Sequence, residues 1–449
     1  MGEPHSRQTG GRGEYMIPNW LLTAAERLGA SERVKQAVGS AWQRALPVYQ
    51  GLDELQGRVS ARVWSAFRQA GVRETDFAST SGYGYGDRGR EVTDQVFALA
   101  LNAEAALVRP QLVSGTHALA TAFFGCCRPG TVLISATGAP YDTLRAVIGL
   151  EGDSEGTLRE LGVEYTEVAM PRSGPEHLGR LAQAVARADK ARPLVVFIQR
   201  SRGYALRESL SISAIKDMAS RTLAIRSDAT ILVDNCYGEF TEESEPTAVG
   251  AHLMAGSLIK NPGGGLAPTG GYLAGRAELV RRAARRVTAP GLGEHVGPSL
   301  GLTRLMLQGL FLAPGHVANA LKTAVFAAAL FAELGYEVHP RPTGYRSDII
   351  QAIVLGDPHK LVRFCQAVQR YSPVDSDVLP EPWEMPGYGN RVIMAAGTFI
   401  QGATLELSAD APLRPPFAAY LQGGLQLPYG LLGVVGAAAA IESGREGTA

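Results

Sequence analysis

An aspartate and a lysine are the residues of this chain best suited to carry chemistry. Asp234 ends an apolar run, and Lys260 follows 26 residues later, between small residues and a run of glycines. Because such neighbours solvate an ammonium poorly, we expect a lowered pKa at Lys260, as a lysine that forms a Schiff base requires. Leu258 and Ile259 argue against an exposed loop lysine. Asp234 would serve equally well as a magnesium ligand or as a helix cap.

A second group of residues suits a phosphate. The segment SGTH at 114–117 follows an apolar run, which predicts a glycine turn between a strand and a helix. Such a turn directs backbone N–H groups at an anion, although an ordinary serine or threonine helix cap explains the same residues. Ser257, three residues before Lys260, offers a hydroxyl to the same anion.

A third candidate is the glycine- and tyrosine-rich loop at residues 82–90. Its segment GYGDRG matches G-x-G-x-x-G, but polar residues precede it rather than an apolar strand. We therefore interpret the match as unrelated to the dinucleotide-binding fingerprint. Tyr85, Arg88 and Arg90 in this loop suit the binding of a phosphate or a carboxylate.

The composition narrows the class of protein. Of the 449 residues, 45% are apolar, which excludes a disordered chain, and 43 basic residues balance 43 acidic ones. This balance does not favour a nucleic-acid or membrane partner. The four cysteines lack C-x-x-C spacing, so we expect no metal site and a reducing compartment. The polar N-terminus lacks a signal-peptide pattern, and we expect a cytoplasmic protein.

Runs rich in Val, Ile and Leu alternate with stretches of helical spacing, which predicts an α/β fold with a mostly parallel sheet. The predicted strands are Ala106–Val113, Thr131–Ser135, Leu194–Gln199, Thr230–Asp234 and Gly271–Gly275. The uncharged run Phe417–Ile441 contains glutamines, a proline and five glycines, which favours a buried segment over a membrane span.

We predict three regions. Residues 1–75 form a polar tail and a helical arm, residues 76–316 a large α/β domain, and residues 317–449 a smaller α+β domain. In the last region, Val317–Leu334 has the pattern of a long helix. Arg391–Ala396 and Thr398–Leu407 read as a hairpin around a glycine.

Together these segments resemble the fold-type-I pyridoxal-phosphate (PLP) enzymes. More closely, they resemble the methionine γ-lyase-like family, also described as cystathionine β-lyase-like and associated with aluminium resistance. The resemblance runs from about Tyr83 to Gly424. Its motifs are SGYGYGDRGRE, SGTHAL, PYDTL, QRSRGY, VDNCYGEF, SLIKNPGGGLAPTGGY and IQGATLELSADAPLRPP. It implies PLP as cofactor and a large mostly parallel-sheet domain followed by a smaller α+β domain.

The resemblance also implies roles for the residues above. Lys260 would hold PLP and act as the mobile base, and Asp234 would pair with the pyridine nitrogen. Tyr141 would stack on the ring; His117 is a rival for that place, or a histidine that serves only the start of a helix. The phosphate would be held by residues of the two turns: Ser114, Gly115, Thr116 and Ser257.

Tyr85 and Arg88 resemble the tyrosine and arginine that reach a neighbouring subunit's phosphate in the wider superfamily, although the spacing differs. Tyr85 would also be a proton donor for a leaving group. The resemblance implies a site at a subunit interface, so we expect a homodimer as the minimum and a tetramer as the assembly.

The substrate's α-carboxylate requires an arginine, which can bind it with two hydrogen bonds. Where the superfamily has that arginine, this chain has Glu406. Arg414 is the nearest replacement, with Arg391 as a fallback, and Arg202 could approach the substrate or the ring. For any one of them an ordinary surface salt bridge is the alternative.

The reaction we expect is γ-elimination from a γ-substituted L-amino acid, with a thiolate or a halide as leaving group. β-Elimination, as in a cysteine desulfhydrase or cystathionine β-lyase, is the nearest alternative. An alternative of another class is a PLP-binding stress-resistance protein without turnover. The presence of both Lys260 and Asp234 argues against it, because a regulator needs no electron sink.

Overall fold

Seven strands of the N-terminal two thirds of the chain form one sheet. The computed structural model describes residues 17–152, 155–170, 176–385 and 388–443. The strands are β1 (Ala105–Arg109), β2 (Val132–Ser135), β3 (Glu164–Glu167), β4 (Leu194–Gln199), β5 (Thr230–Asp234), β6 (Leu253–Ser257) and β7 (Gly271–Gly275). Their order is β1-β7-β6-β5-β4-β2-β3, and only β7 runs antiparallel to its neighbours. The predicted mostly parallel α/β sheet is confirmed.

Helices cover both faces of this sheet. Alternate strand residues point to opposite sides, and because both sets are apolar, each face must be covered. Leu107 packs with α4, α5 and α8, whereas Ala106 and Val108 pack in the core on the opposite face. The helices are α1 (Asn19–Arg27), α2 (Glu32–Ala70), α3 (Arg88–Ala100), α4 (Gly115–Cys126), α5 (Asp142–Ile148), α6 (Glu176–Arg187), α7 (Ile212–Ile225), α8 (Ala277–Val287), α9 (Thr303–Glu333), α10 (Pro358–Arg370) and α11 (Leu427–Glu442).

The predicted helical arm consists of α1 and α2. The Ser31 hydroxyl caps α2 by accepting a hydrogen bond from Val34 N, and Gly71, with a φ of 61°, ends the helix in the left-handed conformation that glycine adopts readily. α2 packs along α9. The predicted polar tail lies outside the described residues.

The predicted domain boundary at residue 316 falls inside α9. This helix begins 14 residues before the predicted Val317 and continues through Pro314. Because α9 packs against α2, β8 and β9, tertiary contacts outweigh the helix-breaking tendency of the proline. α9 is long and apolar enough to cross a membrane, but 78% of its most apolar window is buried inside the protein, as in the core helix of a globular domain.

A second, antiparallel sheet holds the C-terminal part of the chain. Its strands are β8 (Glu337–His339), β9 (Gln351–Val354), β10 (Val392–Ala395), β11 (Ser408–Pro412) and β12 (Ala418–Gln422), in the order β10-β11-β12-β9-β8. The uncharged run predicted to be buried contains β12 and α11, which both pack in this domain's core.

The predicted hairpin was wrong. β10 pairs with β11, so that Ala395 faces Ala409, and residues 398–407 form a loop between them. Glu406 stabilises this loop, because its carboxylate accepts hydrogen bonds from Phe399 N at 3.0 Å and Ile400 N at 2.9 Å. These N–H groups are therefore satisfied without a strand partner.

Candidate active site

A cavity of about 260 Å³ lies between the two sheets, where the carboxyl ends of β4 and β5 meet the small domain. Open α/β sheets bind their ligands at this edge. Residues from positions 113 to 422 line it. The predicted site residues among them are Ser114, Gly115, Thr116, Tyr141, Asp234, Ser257 and Lys260.

Lys260 follows β6 and extends into this cavity. Its Nζ lies 3.5 Å from the centroid of the Tyr237 ring and donates a hydrogen bond to Ala403 O at 3.4 Å. Tyr237 has a left-handed φ of 68°, a conformation that is uncommon for a tyrosine and places its ring beneath the lysine. Burial lowers the pKa of Lys260, although the charges around it oppose the shift. The amine is therefore easier to deprotonate than an exposed lysine.

Asp234 is the last residue of β5 and is buried. Its Oδ1 accepts a hydrogen bond from Cys236 N at 3.0 Å. Burial raises its pKa, while that hydrogen bond and the charges of Lys260 and Arg207 lower it. A carboxylate so placed can pair with a protonated ring nitrogen.

The predicted phosphate turn is the start of α4. Ser114 caps the helix, since its Oγ accepts a hydrogen bond from His117 N at 3.0 Å. A Cβ at Gly115 would lie 3.2 Å from the Cβ of Ser257, so the glycine lets the helix start approach the end of β6. The first N–H groups of a helix lack intrahelical partners and can bind an anion. The segment can therefore act as a helix cap and as an anion site at the same time.

Tyr141 lines the cavity just before α5, whose Thr143 hydroxyl lies 2.7 Å from the hydroxyl of Thr116. The backbone N–H of Tyr141 donates to Gln199 Oε1 at 2.7 Å, and its hydroxyl lies 2.9 Å from the hydroxyl of Tyr388. Its ring packs against Tyr204, with 5.7 Å between centroids.

The cavity fits PLP on the chemistry of its donors. The phosphate would bind at the helix start beside Ser257. The pyridine nitrogen would pair with the Asp234 carboxylate, and the aldehyde carbon would react with the Lys260 amine. Among the described residues, no three histidine, cysteine or acidic side chains are grouped as metal ligands.

Three of the residues predicted for the cofactor site do not line the cavity of their own chain. The His117 Nδ1 accepts a hydrogen bond from Val113 N at 3.3 Å, so this histidine serves the start of α4 rather than the cavity wall. Tyr85 is 73% exposed. Arg88 forms an ion pair with Asp76 at 2.8 Å.

None of the three arginines predicted for the substrate lines the cavity. Arg202 is buried, donates to His339 O at 3.0 Å and lies 3.8 Å from Asp348. Arg391 is exposed and donates to the backbone of Pro382. Arg414 is exposed, but close enough to Asp142, next to Tyr141, for their charges to interact.

Asp410 and the tyrosines of the small domain line the cavity but were not predicted from the sequence. Asp410 lies within the motif IQGATLELSADAPLRPP, in which no role was predicted for this aspartate. Tyr237 was within reach of prediction, because it follows Asp234 by three residues. Further lining residues that were not predicted include Tyr204, Tyr388, Tyr420, Gln199 and Gln422.

The chain is similar to known proteins over most of its length. The uncharacterized protein YnbB of Bacillus subtilis (strain 168) is 47% identical over 379 residues, which are 84% of this chain and 89% of that protein. A carbon-sulfur lyase involved in aluminum resistance from Clostridium novyi NT is 42% identical, with a TM-score of 0.89 that covers 94% of this chain and 99% of that one.

A more distant structure supports the fold alone. The pyridoxal-5'-phosphate dependent protein YhfS from Escherichia coli is 17% identical and has a TM-score of 0.57 over 87% of this chain and 97% of that one. The predicted fold type I is thereby confirmed. Residues 34–442 match the methionine gamma-lyase family, and the chain belongs to that family.

Proposed function

We propose that the protein is a PLP-dependent lyase that eliminates the γ-substituent, a thiolate or a halide, from a γ-substituted L-amino acid. The observation that carries the proposal is the position of Lys260, buried in one cavity with Asp234 and the helix start at Ser114. Family membership supports it. The Clostridium novyi relative is named a carbon-sulfur lyase, which favours the thiolate.

When bound, PLP supplies an electron sink for the negative charge that develops on the substrate carbons. The start of α4 and Ser257 would hold its phosphate. Asp234 would keep the pyridine nitrogen protonated, because a buried carboxylate is stabilised by a positive partner. Tyr141 would lie along one ring face.

Lys260 would remove the Cα proton. Its amine is suited to this step because burial lowers its pKa. A thiolate leaving group also benefits from a proton donor. Within one chain, Tyr141 and Tyr388 line the cavity and Tyr85 does not. Burial raises the pKa of both cavity tyrosines, so they hold their protons at neutral pH. A halide needs no such donor.

β-Elimination is the closest alternative, because it needs only the Cα proton removed before the leaving group departs. Cystathionine separates the two reactions. γ-Cleavage releases cysteine, whereas β-cleavage releases homocysteine, and homocysteine as the main product would overturn the proposed γ-elimination.

The decisive experiment is a screen of amino acids for the release of ammonia and 2-oxo acid, with thiol and halide measured in the same wells. We expect release from at least one γ-substituted amino acid and bleaching of the cofactor absorbance on its addition. Asp234→Asn should lose turnover, and Asp228→Asn, an exposed site before the same strand, should keep it. A coloured protein that no amino acid bleaches would favour the non-catalytic stress-resistance alternative.

We further propose that the protein is cytoplasmic and forms a homo-oligomer. A dimer is the minimum, and we expect a tetramer. The exposed Tyr83 and Tyr85 support this assembly, because a loop with two exposed aromatic rings is suited to contact a second subunit. Four free cysteines are compatible with a reducing compartment.

A further inference from the structure

The small-domain sheet presents one carboxylate to the cavity. Asp410 lies on β11, opposite Met394 of β10 and Tyr420 of β12. Residues opposite each other on neighbouring strands point to the same face of a sheet. All three side chains line the cavity, so Asp410 faces the same space as Lys260.

The hydrogen bonds of Asp410 are incomplete. The side chain is 6% exposed, and its Oδ2 accepts one long hydrogen bond, 3.4 Å from Gln422 Nε2. Its Oδ1 is buried and accepts no hydrogen bond of good geometry from the part of the chain that the structure describes, although the Tyr204 hydroxyl is close enough to lower the pKa of this carboxyl. An unsatisfied buried carboxylate oxygen is costly to stability, which indicates a partner or a task that the bound substrate completes.

The Asp410 carboxylate also interacts with the charge of Lys260. It raises the pKa of that lysine more strongly than the Asp234 carboxylate does. Among the described residues that line the cavity, these two aspartates are the carboxylates, and no histidine is present. Because Asp234 suits the ring nitrogen, Asp410 is the carboxylate left available for proton transfer.

The proposed γ-elimination needs two protons removed from neighbouring carbons. Once the Lys260 amine has taken the Cα proton it is an ammonium, and it cannot accept the second until it has lost the first. A second base next to the lysine removes this limitation. The unpartnered Asp410 Oδ1 has a lone pair free for that purpose.

We propose that Asp410 is a second catalytic residue, which takes the Cβ proton of the bound amino acid after Lys260 has taken the Cα proton. This inference rests on the proposed γ-elimination. The Cβ–H bond breaks and its electron pair forms the Cβ–Cγ double bond. The bond from Cγ to the leaving group breaks with its pair on that group. The proton moves to Oδ1, and the carboxylic acid later returns it to Cγ of the unsaturated product.

Hydrogen exchange tests the two proton transfers separately. L-Norvaline has no leaving group at Cγ, so in D₂O its exchange at Cα and Cβ can be followed by proton NMR. We expect both positions to exchange with the wild-type holoenzyme. Asp410→Asn should keep Cα exchange within about threefold and slow Cβ exchange by about 100-fold or more, the range of a lost general base. Asp410→Glu should recover part of the Cβ rate.

Asp357→Asn is the matched control, since Asp357 caps α10 in the same domain and asparagine caps helices equally well. It should change neither rate. Equal loss of both exchanges in Asp410→Asn, or no loss of Cβ exchange, would overturn the role of Asp410. A wild-type enzyme that exchanges Cα but never Cβ would instead overturn the γ-elimination on which the inference rests.

A second readout needs no cofactor. Burial raises the pKa of Asp410 to about 6, against the opposing effects of Lys260, Gln422 and Tyr204 around it. Infrared titration of the cofactor-free chain should show a carboxylic-acid band that appears as the pH falls through about 6. Asp410→Asn should remove this band, and Asp357→Asn should keep it. A band unchanged by Asp410→Asn would contradict the assignment.

Discussion

The hydroxyls of Tyr141 and Tyr388 lie 2.9 Å apart and join the two domains across the cavity. Tyr141 follows β2 of the large sheet, and Tyr388 precedes β10 of the small one. Burial raises the pKa of both phenols, so at neutral pH both are protonated and one donates to the other. The pair therefore holds the small domain against the large one over the site.

Tyr388→Phe should weaken this closure while keeping the ring. Loss of one hydrogen bond costs about 1 kcal/mol, so we expect the substrate KM to rise by roughly fivefold. For a thiolate leaving group kcat should fall as well, because Tyr388 is one of the two candidate proton donors. Steady-state kinetics measure both constants. Tyr429→Phe, at an exposed tyrosine, should leave them unchanged. An unaltered KM in Tyr388→Phe would show that the pair does not control closure.

Lys260→Ala should abolish both the cofactor absorbance of the covalent linkage and the activity. Lys216→Ala is the matched control, because Lys216 is exposed on α7. Borohydride reduction followed by peptide mass analysis should find the cofactor on Lys260 of the wild type and of the control. A reducible linkage that persists in Lys260→Ala would mean that another lysine holds the cofactor.

Glu406→Ala should destabilise the loop that carries Ala403 to Lys260. The substitution leaves the buried N–H of Ile400 and that of Phe399 without their acceptor, which costs about 1–3 kcal/mol in the free energy of unfolding. Glu406→Gln keeps one acceptor oxygen and should cost less. Urea unfolding measures both variants. Equal stability of Glu406→Ala and the wild type would contradict the loop's dependence on this carboxylate.

His252 should make stability fall in acid. Its Nδ1 accepts a hydrogen bond from Ile231 N at 3.2 Å, and burial lowers its pKa to about 4. The unfolded chain takes up this proton near pH 6.5, whereas the folded chain does so only near pH 4. Its contribution to the free energy of unfolding is therefore full above pH 6.5 and falls as the pH drops towards 4, by about 3 kcal/mol in total.

The comparison with His252→Gln isolates this effect from other titrating groups. The difference in unfolding free energy between the wild type and the variant should shrink between about pH 6.5 and pH 4. Urea unfolding at several pH values measures it. A difference that does not vary with pH would contradict the lowered pKa of His252.

Subunit mixing tests whether the loop at 82–90 completes a neighbour's site. Inactive Lys260→Ala and Arg88→Ala subunits, once exchanged, should regain activity in about a quarter of sites by random pairing. Arg88→Ala also removes the ion pair with Asp76, so its thermal unfolding is measured first. No recovery after verified exchange would mean that the loop serves its own subunit.

Much of the large domain could be read from local pattern. The runs that form β2, β4 and β5 are apolar and fully or almost fully buried, so the residues themselves signal a central strand. Asp234 was also recognisable because it ends such a strand, and Lys260 because small and apolar residues and a glycine run surround it. In these cases the residues that reveal the feature lie within a few positions of it in the sequence.

Other elements depend on contacts that local pattern does not contain. β3 is the polar edge segment EYTE, and only its pairing with β2 makes it a strand. α9 continues through Pro314 because its buried face packs against α2. In both cases a distant part of the chain outweighs the local propensity.

The sequence alone determined the family resemblance, the candidate lysine for the cofactor and the carboxylate at the strand end. Only the tertiary structure decided which tyrosines line the cavity, that the three candidate arginines stand outside it, and that Asp410 faces Lys260. The register of β11 against β10 and β12 brings Asp410 to a lysine 150 residues away in sequence. Propensity acts between neighbours in the chain, whereas a site is formed by side chains that packing brings together.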